Sequence, residues 1–225
     1  MHNDHPRLFF LHIPKAAGMT LHAIINGQYD PEEIYTIPAV PWNDLNRQAL
    51  ADEWSQEDRA RVRVVKGHMD HGWHNAFGDD QYEYTTILRH PVERVLSLYS
   101  FIGEWHDDWT HKQEGIARFV LQSKEAQNGM THMLSGGMGR DAEAFRVAWD
   151  NLSQMPIVGT VQNFDRYLQE LRQRYGWEAE PYELVNKTAD RTRDIMSGEE
   201  RAILLHNIYD MMLYLYAERK HEQNI

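Results

Sequence analysis

The 225-residue chain predicts an α/β fold: a single P-loop-like domain over residues 1–225, with a central mostly parallel sheet flanked by helices. Three observations carry this reading. Short apolar or β-branched runs alternate with segments whose apolar residues recur at helical spacing. The first run passes through Pro-Lys-Ala-Ala-Gly directly into such a segment. At 42% hydrophobic and 11% aromatic residues, the chain also has the material for a buried core.

Arg7 to Ile13 is a compact apolar run closed by Pro14 and Gly18, as expected of a buried strand entering a turn. Leu21, Ile24 and Ile25 then share one helical face until Gly27 and Pro31 end the pattern, and a loop through Pro38 and Pro41 follows. Arg61 to Val65 and Tyr84 to Leu88 give a second and a third strand. Pro91 suits the first position of the next helix, whose buried face is Val92, Val95, Leu96, Tyr99 and Ile102. Lys112 to Leu152 reads as mostly helical, parted by Gly136, Gly137 and Gly139, with Phe145, Ala148, Trp149 and Leu152 on one face. Pro156 to Val161 is a fourth strand. Phe164, Leu168, Leu171 and Tyr175 mark the helix that Gly176 closes. Pro181 and Asn186 to Arg191 form a loop before a buried helix over Ala202 to Ala217. No repeat, low-complexity tract or linker interrupts the order.

Composition narrows the chemistry. With no cysteine, disulfides, iron-sulfur clusters, thiolate zinc sites and thiol nucleophiles are excluded, and a reducing, cytoplasmic setting is expected. A formal charge of −11 argues against a nucleic acid polymer or an anionic membrane as partner, since both need clustered Lys and Arg. Leu8 to Ile13 is too short for a signal peptide or a span, and His206, Asn207 and Asp210 interrupt the last apolar stretch. The 13 histidines stand out.

A strand that turns sharply into a helix gathers backbone N–H groups and the positive end of the helix dipole in one small volume, which suits a phosphate. Lys15 adds a charge there, Gly18 allows close approach and Thr20 offers a hydroxyl. The nucleotide-triphosphate signature with a Gly-Lys pair is absent, so ATP or GTP hydrolysis is not indicated. An ordinary strand-to-helix turn with an exposed lysine is the other reading of these residues. Arg89 ends the third strand, and Arg94 and Ser97 lie on the helix after it, so their donors can converge on a second phosphate. Arg94 as a partner of Glu93 or another surface carboxylate, with Ser97 a tolerated helix residue, is the alternative.

HIPKAAGMTL at 12–21 is similar to the HIPKTAGTS-type loop of carbohydrate sulfotransferases, the branch that includes heparan 2-O-sulfotransferase and bacterial relatives. ILRHPVERVLSLY at 87–99 resembles the family's LRDPVERxxSxY segment. VVKGH, NGMTHMLSG, VGTVQNFDRYLQEL and LVNKT follow in family order up to residue 188. His90, Ala16, Met19 and Gln162 depart from the usual residues, and Lys66 replaces a companion histidine. The resemblance implies a co-substrate, 3'-phosphoadenosine 5'-phosphosulfate (PAPS), and no required metal. It places Lys15, Ala16, Ala17, Gly18, Met19 and Thr20 at the 5'-phosphosulfate, Arg89 and Ser97 at the 3'-phosphate, and Lys187 and Thr188 beside the nucleotide. Lys15 and His68 become the catalytic pair, with His68 as base for an acceptor hydroxyl, and His71 and His132 become acceptor contacts.

Two other classes share these residues: a non-catalytic nucleotide- or anion-binding module, and a His-rich metal-binding protein using His68, Asp70, His71 and His74. Whole-chain charge favours an acceptor that is a neutral or weakly charged sugar, a lipid headgroup or a small alcohol. The Tyr- and Met-rich last helix leaves an oligomer open.

Overall fold

The computed structural model describes residues 6–38, 49, 52–78, 80–105, 115–179, 181–182 and 197–222. Strand β1 (Arg7–Leu11) leads through residues 12–17 to α1 (Gly18–Gln28), and β2 (Ile34–Thr36) follows a short 3-10 turn. Next come α2 (Gln56–Arg61), β3 (Val64–Gly67), α3 (Trp73–Phe77), β4 (Tyr82–Leu88) and α4 (Pro91–Trp105). The second half holds α5 (Ile116–Gln122), α6 (Gly129–Leu134), α7 (Ala142–Gln154), β5 (Ile157–Thr160) and α8 (Phe164–Tyr175). Two helices close it, α9 (Ser197–Leu205) and α10 (Ile208–Glu222).

The strands form one sheet in the order β2-β3-β1-β4-β5, and every pairing is parallel. β1 sits in the middle because it is apolar on both faces. Leu8 and Phe10 face the layer of α1 and α8, with Leu21, Ile25, Leu168 and Leu171. Phe9 and Leu11 face the opposite layer, with Trp73, Met133, Leu152 and Leu213. That alternation is the period of two expected of a strand. Gly159 lets β5 meet α8: a Cβ there would come within 2.5 Å of the Tyr167 ring, whose hydroxyl bonds Thr85 Oγ1 at 2.8 Å.

Two expectations need correction. The described sheet has five strands, not four, because Ile34–Thr36 pairs with β3 in the register Thr36↔Lys66. The last helix is two helices, and it is not buried throughout. The break falls at His206 and Asn207, and the fully buried Asn207 amide takes a hydrogen bond from Asn128 N (3.0 Å) and donates to Ala126 O (2.8 Å). Leu205, Ile208, Met212 and Leu215 are exposed. Among the described residues no helix is long and apolar enough to cross a membrane.

With β3 and β4 on either side of β1, the carboxyl ends of all three strands open into one crevice, the usual ligand position in such sheets. Residues 12–18, His68 and Arg89 lie at those ends.

Candidate active site

The turn after β1 is strained. Lys15 and Ala17 hold left-handed backbone angles, φ 67° and 56°, which cost a non-glycine residue about 1–3 kcal/mol each. Ala17 caps α1 without a side-chain hydrogen bond of its own, so the cap residue leaves the start of the helix open to another acceptor. A backbone held this way, beside a lysine, fits an anion.

A cavity of about 430 Å³ opens over the turn. Pro14, Lys15, Ala16, Ala17, Gly18 and Met19 line one side, Arg89, Ser97, Leu98, Phe101 and Ile102 the other, and His12, His68 and Glu125 complete it. Lys15, Ala16, Ala17, Gly18, Met19, Arg89, Ser97 and His68 are therefore brought together. Thr20 is not among the lining residues: it is buried in the first turn of α1. Lys187 and Thr188 fall outside the described residues.

Lys15 Nζ lies 4.1 Å from the centre of the Phe101 ring, a cation-π contact that holds the charge at the cavity wall. Arg89 ties the two phosphate segments together. Its Nη1 donates to Lys15 O at 3.2 Å, and its Nε to Glu93 Oε2 at 3.2 Å. Gln162 donates to the same carboxylate at 3.2 Å. So Glu93 partners Arg89, and Arg94 turns elsewhere. The Arg94 side chain is buried, donates from Nη2 to Glu125 O at 3.0 Å and stands 3.7 Å from Asp210 Oδ2, away from the cavity over the turn.

His68 Nδ1 is 2.8 Å from His12 O. A carbonyl only accepts, so Nδ1 carries the hydrogen, and in the neutral ring Nε2 is left as the basic nitrogen. Lys66 does not join this site. It is buried, and Nζ donates to His22 O at 3.1 Å and to the Asn26 side chain. Burial alone brings its pKa down to about 8.

Gly18 has a reason that the turn pattern does not contain. A Cβ there would lie 1.9 Å from His12 Cδ2, so glycine makes room for an imidazole as well as for a ligand. His12 is the residue that sequence reasoning missed, together with Phe101 and Glu125. Phe101 stands four positions after Ser97, so helical spacing offered a signal. Nothing in the spacing pointed to Glu125.

A second cavity, about 310 Å³, adjoins the first at Pro14 and Glu125 and is otherwise lined by Arg94, Lys124, Gly129, His132, Met133 and Arg140. His132 lies there, its pKa lowered by burial and by Arg140, while Asp70 opposes the shift. His71 lines neither cavity. Its ring packs on Tyr84 with centres 4.3 Å apart, and the His71 backbone N–H donates to Met133 O at 2.8 Å. His74 stacks on Tyr82 and its Nδ1 is 3.1 Å from Tyr84 Oη, so this histidine-rich stretch is knitted into an aromatic cluster. Among the described residues no three His, Asp or Glu side chains are grouped so as to hold a metal ion.

A model described as "Sulfotransferase family" matches residues 1–135. No curated protein matches the chain. The solved structure of mouse sulfotransferase SULT7A1 complexed with PAP matches with a TM-score of 0.44 at 12% identity, over 92% of this chain. This chain spans 65% of the length of that one.

Proposed function

The chain belongs to the sulfotransferase family, and we propose that it moves a sulfuryl group from PAPS to the hydroxyl of an acceptor. The observation that carries this reading is the single cavity lined by the strained Lys15 turn, Arg89, Ser97 and His68. Two cationic segments, 15–19 and 89–97, suit a nucleotide phosphorylated at both ends.

Backbone N–H groups at Ala17, Gly18 and Met19 hold the phosphosulfate, with Lys15 balancing charge on the oxygen that sulfur leaves. Arg89 and Ser97 hold the 3'-phosphate. The acceptor enters through the second cavity, past His132. As its oxygen bonds to sulfur, the sulfur–phosphate oxygen bond breaks, and His68 Nε2 takes the hydroxyl proton. The products are a sulfate ester and adenosine 3',5'-bisphosphate. Around the second cavity Lys124, Arg94 and Arg140 are faced by Glu125, Asp70 and Asp210, so charge there is close to balanced, and a neutral or weakly charged acceptor is favoured, as it is by the whole-chain charge.

Calorimetry with adenosine 3',5'-bisphosphate, followed by labelled PAPS and a panel of charged and neutral hydroxyl acceptors, tests this. Binding near micromolar with label transferred to an acceptor supports it. No binding sinks it, and binding without transfer to any acceptor leaves a nucleotide-binding module.

A further inference from the structure

His68 is one of three imidazoles packed in a row. His12, buried just after β1, stacks on it with ring centres 4.3 Å apart and planes 28° from parallel. His12 Nδ1 lies 3.1 Å from Nε2 of His22 on α1, with ring centres 4.9 Å apart. The other edge of His12 rests on Gly18, where a Cβ would come within 2.0 Å of Nε2. The His12 ring therefore fills the space between the phosphate turn and the candidate base, and it is clamped from three sides.

We propose that His12 is a positioning residue for His68: an imidazole wedge, braced by His22, that sets how the base is turned and keeps it against the phosphate turn. The inference rests on His68 being the base of the proposed reaction.

The chemistry separates positioning from proton relay. His68 Nδ1 donates to the His12 carbonyl, which cannot take the proton onward, so a proton accepted at Nε2 must leave from Nε2. The His12 ring meets His68 through its face instead. Once His68 is protonated, that face carries an imidazolium, a favourable contact only while His12 itself stays neutral. Two imidazoliums stacked this closely would repel. The surroundings keep His12 neutral: burial first, then His68, His22 and Lys15, hold its pKa well below the usual value. Burial, then Lys66 and His68, bring His22 down to about 4. The charged or titratable groups around the wedge are thus Lys15 from the turn, His22 from α1, Lys66 and His68 at β3, and Arg89 and Glu125 across the cavity.

The first arm of the test uses the full free chain without nucleotide: nitrogen-detected NMR of the imidazoles over roughly pH 5 to 8. In neutral His68 the hydrogen is expected on Nδ1, and His12 is expected to protonate only well below an open imidazole. A His12 that protonates like an open imidazole, or a hydrogen on Nε2 of neutral His68, overturns the proposal. The second arm compares two variants. His12→Phe keeps the aromatic face and drops both nitrogens; His12→Asn keeps a polar atom toward His22 and drops the face. His12→Asn should lower kcat about a hundredfold, and His12→Phe should restore it to within about fivefold of the parent. Affinity for adenosine 3',5'-bisphosphate should change less than about threefold in both. An unimpaired His12→Asn, or no rescue by His12→Phe, overturns the wedge. Variants that do not fold leave the NMR arm decisive, and it is read whether or not the parent binds nucleotide. Nucleotide binding by the parent is judged separately and bears on the transferase reading alone.

Discussion

Ala17 shows how a single residue records what a turn is for. It sits at φ 56° with no side-chain cap to offset the strain, at a position where glycine would be relaxed. Ala17→Gly should therefore leave stability unchanged or raise it by up to about 1 kcal/mol, measured by urea unfolding. A clear loss would mean that the methyl group packs for more than its backbone costs. Three polar side chains of the cavity divide by role. His68→Ala should abolish transfer with nucleotide affinity nearly intact, since the ring meets its neighbours through His12 and not through the phosphate turn. Lys15→Ala should cut kcat more than affinity. Arg89→Ala should weaken adenosine 3',5'-bisphosphate binding roughly 10- to 100-fold, because it removes a charged donor and also the bond to Lys15 O. Calorimetry and initial rates on the same three variants check the division; full activity in His68→Ala would end the base assignment.

Between elements, the most consequential residue is Asp210. Its buried carboxylate accepts from Met130 N (3.0 Å), Thr131 N (2.8 Å) and Thr131 Oγ1 (2.8 Å) at the start of α6, and lies beside Arg94 of α4. One side chain on α10 thus fixes the helix that carries His132 and satisfies a buried guanidinium. Asp210→Asn should cost about 3–5 kcal/mol, because it leaves Arg94 charged without its counter-ion. Chemical denaturation measures this, and a loss below about 1 kcal/mol would show that Arg94 is balanced from elsewhere. The same pair shows where sequence reasoning stops. Arg94 and Ser97 are three apart on one helix, so spacing alone sent both toward the phosphate. The partner that turns Arg94 away lies far along the chain. β1, β4, β5 and the helices that follow each of them were legible because each carries its own period and its own stop signal, whereas α2 takes in the Arg61 expected to open the second strand, which is Val64–Gly67, and α3 at Trp73–Phe77 is too short to show a period. β2 was not legible, since three residues between Pro31 and Pro38 are too few for a pattern and pair only with β3. Lys15, Gly18, His68, Arg89 and Ser97 were legible because they stand in contiguous motifs. His12 was hidden, for its place depends on stacking between residues of three separate elements.

At the scale of the whole molecule, a charge of −11 coexists with a cavity over the first turn lined by Lys15 and Arg89, so cations stand where an anion would bind. The interior of that region also sets how stability follows pH. His22 has a folded pKa of about 4 against 6.5 for an open imidazole, lowered mainly by burial and then by Lys66. His12 is depressed as well, chiefly by burial. A base whose folded pKa lies below its unfolded one binds more protons in the unfolded chain, so it favours folding fully above the unfolded pKa and loses that contribution as pH falls. Between pH 6.5 and 4, the His22 shift alone corresponds to roughly 3 kcal/mol. Protonation of the 34 acidic residues in the lower part of the same range acts the other way, by relieving repulsion in a net-negative chain. The two can be separated with His22→Asn, which cannot protonate. Urea unfolding at several values from about pH 4 to 7 should show the parent losing stability with acid more steeply than the variant, the difference growing below pH 6.5 and levelling off near 4. Parallel curves would mean that His22 is as free to protonate in the folded chain as in the unfolded one.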